Sequence, residues 1–165
     1  MNKNILVYIN NLILWILAIG YFFIISSFST TPAVESRAES KAVVVVVEKI
    51  VNAVMHKTED NSDSWVMEKT LHTIVRKTAH VVNFFILAFL HGMLFFVYSG
   101  KISNVVILTL LMGCCGAVTD EITQLFVEGR SAQLSDVFVD FSGTILACAL
   151  FVFLCHRYIL KLKRG

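Results

Sequence analysis

The chain has 165 residues, 56% of them hydrophobic and 16% charged, with a formal net charge of +2. An average soluble domain carries about 25% charged residues, and one this small cannot hide so much apolar side chain from water, so a soluble enzyme and a disordered segment are both disfavoured. The small net charge offers no basic excess for a phosphate backbone, which argues against nucleic acid as a partner, and a mean hydropathy of +0.73 makes the lipid bilayer the expected surroundings.

A spanning helix needs about 20 apolar residues. The first such run covers 5–28, broken near its start by Asn10 and Asn11. It exceeds the roughly 7–15 residues of a signal-peptide core and lacks a small-residue cleavage site, so it reads as a retained anchor. The single proline, Pro32, ends it. The segment 41–75 follows. Its five consecutive valines, Val43 to Val47, suit a strand by propensity, but a helical template fits the longer window. Val43, Val46, Val47, Ile50, Val51 and Val54 share one face, and Lys41, Glu48, Lys49, Asn52 and His56 the other. An amphipathic helix on the membrane surface is expected, because a lone strand would leave its edges unpaired there. The amphipathic stretch Ser64–Arg76 leads into a second span, 78–98. After the turn Ser99-Gly100-Lys101, a third span at 102–126 is cleanly apolar to Val118. It reaches bilayer length only by including Asp120, Glu121 and Gln124. The fourth covers 134–156, with Asp136 and Asp140 in its first two turns.

These elements predict an all-α polytopic membrane protein forming one domain, 1–165. It has four transmembrane helices and an amphipathic interfacial helix in the first outer loop. Lys3, Lys101, Arg157, Lys161, Lys163 and Arg164 flank the spans on one side, which the positive-inside rule assigns to the cytoplasm. A multi-pass cell-membrane protein with both termini cytoplasmic is expected. Cys114, Cys115, Cys148 and Cys155 all sit in apolar runs without a CxxC, as buried small hydrophobes rather than a zinc or disulfide framework.

Ionisable residues inside spans cost about 2.5–3.5 kcal/mol at mid-bilayer and need partners or a function. Here Arg76, Lys77, His80 and Asn83 begin the second span, Asp120, Glu121 and Gln124 close the third, Glu128 and Arg130 lie in the turn, and Asp136 and Asp140 open the fourth. Because consecutive spans alternate in direction, all of these share one leaflet, which the topology makes the outer one. Arg76, His80 and Asn83 stand at i, i+4 and i+7, as do Asp136, Asp140 and Gly143, so cations of one helix face anions of two others. The expected binding set for an anionic ligand is Arg76, Lys77, His80, Asn83, Gln124, Arg130, Asp136 and Asp140, with Arg130 suited to bidentate contact. The candidate acid–base groups are His80 with Asp120 or Glu121. Asp120 and Glu121 point about 100° apart on a helix, so one faces the pocket and the other holds His80 or Arg130. No GxSxG, HExxH or P-loop is present. The spacing of His80, Asp120 and Asp136 is not diagnostic of a metal, and no metal or cofactor is expected.

The block from Asp120 to Arg130 reads DExxQxFxxGR, followed by Asp136-Val137, Asp140 and Gly143, and the second span opens with Arg76-Lys77-x-x-His80. These residues resemble the VanZ-like membrane protein family over nearly the whole chain. Asn83 and Phe84 stand where that family carries a Glu-Tyr pair, Thr31 where it commonly has glutamine, and Ala147 fits its small fourth-helix residue. The resemblance implies a cell-envelope setting and an association with low-level teicoplanin resistance. A lipid-linked cell-wall intermediate or a lipoglycopeptide would then be the ligand. Two other readings stay open: an integral-membrane hydrolase or transferase, and a non-catalytic scaffold. A homo-oligomer is compatible with all three.

Overall fold

Residues 3–55 and 64–162 are described by a computed structural model. Their regular structure is entirely helical: α1 (Lys3–Ser29), α2 (Ala33–Met55), α3 (Ser64–Ser99), α4 (Ile102–Gln124) and α5 (Leu134–Leu162). Four helices hold windows long and apolar enough to cross a membrane, at Tyr8–Ser29, Lys69–Ser99, Ile102–Gln124 and Leu134–Tyr158. The protein is therefore an all-α, multi-pass membrane protein. Large apolar side chains such as Leu12, Ile16 and Phe23 on α1, Ile107 and Leu111 on α4, and Phe138 and Phe153 on α5 are exposed, which only a lipid surrounding makes favourable.

Pro32 lies between α1 and α2, where its missing N–H and fixed φ stop one helix and start the next. Its carbonyl accepts the Ser36 N–H at 3.0 Å. The valine run is helical, as the longer window predicts. Of its residues Val44 is packed, while Val43, Val46 and Ile50 are exposed. α2 packs against α3. Residues 56–63, which include His56, lie outside the described residues, as do Lys163 and Arg164 and the side chains of Glu48, Val51 and Val54. The stretch Ser64–Arg76 is not a separate piece: it is continuous with the second span in the 36-residue α3. At 1.5 Å per residue α3 is about 54 Å long, well beyond a hydrocarbon core of about 30 Å.

α3 and α5 form the most extensive helix pair, α4 packs on both, and α1 leans on α3 with little contact to α4. Gly143 explains the close α3–α5 approach: a Cβ there would run into the backbone of Val81 and Phe85 on α3. At the α4–α5 contact Gly113 plays the same part against the Thr144 side chain. A core of Ile25, Phe84, Leu87 and Ala117, with Tyr21 and Val137 against it, ties α1 to this trio.

The packed stripe of α4 is Val105, Thr109, Gly113, Ala117, Asp120, Glu121 and Gln124. This register turns Cys114 and Cys115 outward, so they are exposed rather than buried; Cys148 is buried, and all four cysteines are free thiols. Near the α3–α4 turn the Trp15 indole N–H donates to the Tyr98 hydroxyl at 3.0 Å, a pairing suited to an interfacial aromatic belt. Gly100 makes that turn at φ 62°, a left-handed conformation natural to glycine.

Candidate functional site

His80 lies 19 residues before Ser99 at the end of α3, and Asp120 lies 18 residues after Ile102 at the start of α4. At 1.5 Å per residue both stand about 27–29 Å from the shared turn, hence at one level of the bundle. Asp140, less than two turns into α5, arrives at the same level from the opposite direction.

The three side chains meet. His80 Nδ1 is 3.0 Å from Asp140 Oδ1 and 4.0 Å from Asp120 Oδ2. Asp140 is fully buried; its Oδ1 is paired with His80 Nδ1, and its Oδ2 has no hydrogen-bond partner among the described residues. Asp120 is held from two sides. The Ser29 hydroxyl donates to its Oδ1, and Gln124 Nε2 donates to its Oδ2 at 2.8 Å. Asn83 lies on α3 and accepts the Tyr21 hydroxyl on its Oδ1 at 3.0 Å, joining α3 to α1.

The cations take other places. Lys77 Nζ and Arg76 Nη2 reach Asp136 at 3.1 and 3.5 Å, one turn before Asp140, in a partly exposed group above the buried trio. Arg130 Nε donates to the Thr31 carbonyl at 3.0 Å and Nη2 to the Phe28 carbonyl at 3.4 Å. Its guanidinium thus caps the C-terminal end of α1, where helix carbonyls lack partners. Ala33 N–H to the Glu128 carbonyl, at 3.3 Å, ties the same two loops.

Of the expected site residues, His80, Asp120, Asp140 and Gln124 come together, with Arg76, Lys77 and Asp136 beside them. Asp140, rather than Asp136, completes the group around His80 and Asp120, because Asp136 is turned to Arg76 and Lys77. Glu121 faces neither His80 nor Arg130. Its Oε2 accepts the Gln133 backbone N–H at 2.7 Å, just before α5 begins, so it anchors the α4–α5 loop. Ser29 and Tyr21 are contributors that sequence reasoning missed. Their signal was spacing: hydroxyls at i and i+8 fall within one broad face of a mostly apolar helix.

A shallow cleft with about 20 Å³ of free space, partly open to the surroundings, lies between α1, α3 and α4. Phe22, Ile25, Phe84 and Leu87 form its apolar wall, and Ser29 and Asp120 line it as well. It exists because α1 barely touches α4. One carboxylate therefore belongs both to the buried polar group and to a side opening between helices. Chemically the arrangement can pass a proton between His80 and a carboxylate, or present one nitrogen and two oxygen donors to a cation.

Neither a search of curated proteins nor a search of solved structures gives a match. The match that exists is to the family VanZ/LLP1, over residues 12–156. That span takes in the second and third membrane helices whole and most of the first and fourth, both loops at the polar end and every residue of the His80 group, so the chain belongs to the VanZ/LLP1 family.

Proposed function

We propose that this protein binds an anionic, lipid-linked cell-envelope molecule at an outward-facing polar site, from the cell membrane and with both termini in the cytoplasm. The observation that carries the reading is the joining of two environments at Asp120. A shallow apolar groove between helices gives an acyl or prenyl chain a wall to lie along, and it ends at a polar group with the cations Arg76 and Lys77 beside it. A lipid-linked cell-wall intermediate has this form, with a hydrocarbon tail at membrane depth and a charged head near the surface. Arg76 and Lys77 would exchange Asp136 for the ligand's phosphate or carboxylate. Arg130 contributes by holding the end of α1 that forms one lip of the cleft. The basic flanks at Lys101 and Arg157 set the orientation. Protection against teicoplanin-type lipoglycopeptides follows if the ligand is the cell-wall precursor that such drugs recognise.

The test is lipid recovery. The protein is purified in mild detergent and its co-purifying lipids are compared with those of an Arg76→Ala, Lys77→Ala double variant of equal expression and melting point. Enrichment of an anionic lipid-linked species on the parent chain and its loss in the variant supports the reading. Identical lipid profiles, together with unchanged teicoplanin susceptibility, refute it.

The 3.0 Å approach of His80 to Asp140 favours a second reading, an integral-membrane hydrolase or transferase. The acid–base pair would then be His80 with Asp140 or Asp120, since Glu121 is committed to the Gln133 N–H. A His80→Gln variant that keeps the lipid but loses turnover would separate catalysis from binding.

A further inference from the structure

The geometry points to a divalent-cation site held by His80, Asp120 and Asp140. One donor atom from each residue lies within 4.8 Å of the other two. Ligands on a cation at about 2.0–2.2 Å stand roughly 3–3.5 Å from one another. The His80 separations of 3.0 and 4.0 Å bracket that spacing, with all three donor atoms inside 4.8 Å of one another.

Three further observations carry the assignment. The first is charge. Two carboxylates sit at 7% and 0% exposure and share one imidazole, His80, as their ion-pair partner among the described residues, while Arg76 and Lys77 are engaged with Asp136 and Arg130 with the end of α1. Burying charge without a partner costs several kcal/mol per ion, and a dication offsets both carboxylates at once. The second is Asp140, wholly enclosed, with Oδ1 paired to His80 at 3.0 Å and Oδ2 without a partner among the described residues. Such a buried acceptor is the exception in folded proteins and calls for a ligand. The third is the support around Asp120. Ser29 and Gln124 fix its carboxylate from α1 and from the next turn of α4, the outer-shell bracing that orients metal ligands.

The donor set of one imidazole and two carboxylates suits a borderline or hard dication such as Zn²⁺ or Mn²⁺ and disfavours copper(I), which prefers sulfur. Three protein ligands leave coordination positions open. The cation would thus receive a phosphate or carboxylate of the ligand proposed above, beside acids that would otherwise repel it. For that ligand the inference rests on the preceding reading; for the cation it does not.

The experiment uses the full chain in detergent, stripped with EDTA and dialysed. Mn²⁺ binding is followed by electron paramagnetic resonance and Zn²⁺ binding by calorimetry. The expected result is close to one dication per chain, with affinity at least tenfold lower in Asp140→Asn and in His80→Gln, and unchanged in Glu128→Gln. Binding as tight in Asp140→Asn as in the parent would overturn the assignment, and so would a folded parent chain that takes up neither ion. Loss of binding in Glu128→Gln would also overturn it, by moving the site to the α4–α5 loop. Because the parent chain alone can refute the site, a variant that fails to fold does not rescue it. Vesicles containing an anionic lipid, offered with and without EDTA, separate the two proposals. Cation uptake without lipid preference leaves the site standing and removes the ligand reading; lipid preference in a chain that binds no cation does the reverse.

Discussion

Replacing Gly143 by alanine tests the packing that builds the site. The new Cβ would collide with the Val81 carbonyl oxygen and lie 3.0 Å from the Phe85 nitrogen and 3.1 Å from the Val81 carbonyl carbon, where ordinary contact begins at 3.4 Å. All three obstacles are main-chain atoms inside a helix, so none can rotate aside. α3 and α5 must part by several tenths of an ångström or more, and a gap of about 0.5–1 Å already forfeits a quarter to a half of each dispersion contact. Spread over the largest helix pair in the bundle, overpacking of this kind costs about 1–3 kcal/mol. The control is Gly20→Ala on α1, where an added Cβ meets nothing within 4 Å and the change removes a helix penalty of about 1 kcal/mol. Thermal and denaturant unfolding in one detergent should therefore rank Gly20→Ala at or above the parent chain and Gly143→Ala clearly below it. The same displacement pulls His80 from Asp140, now 3.0 Å apart, so dication affinity should fall with stability. If Gly143→Ala melts with Gly20→Ala, the close approach of α3 and α5 is wrong, and the site built on it is wrong too.

Arg130→Ala should lower stability by about 2–3 kcal/mol, since it strips the caps from the Thr31 and Phe28 carbonyls. Arg130→Lys should recover less than half of that, because an ammonium cannot serve two carbonyls with a planar fork; full recovery in the same melting assay would exclude the capping role. Thr144→Val, one turn beyond Asp140, replaces a fully buried hydroxyl that has no hydrogen-bond partner among the described residues. The unfolding free energy should stay level or rise by up to about 1 kcal/mol, and a clear loss would show that the hydroxyl is bonded. In a cysteine-free background, an impermeant maleimide on intact cells should label Glu128→Cys and spare Lys101→Cys; the opposite pattern inverts the proposed orientation.

The spans, their number and the polar end of the bundle were legible in the linear sequence, for a physical reason. A bilayer asks each helix to be apolar along its length, so that property is visible one residue at a time. The helical spacing of Arg76, His80 and Asn83, and of Asp136 and Asp140, likewise follows from the helix period alone. What no single helix specifies is rotation about its axis and depth relative to its neighbours. Gly143 against Val81 and Gly113 against Thr144 set both, and they decide that His80 meets Asp140 while Asp136 turns to Arg76 and Lys77. The run of Ser64–Arg76 into the second span was legible too, because an amphipathic helix and an apolar one differ in surroundings, not in backbone. Ser29 on Asp120 and Arg130 on the end of α1 join residues 91 and about a hundred positions apart. Only the packing of α1 against the other helices brings them within reach.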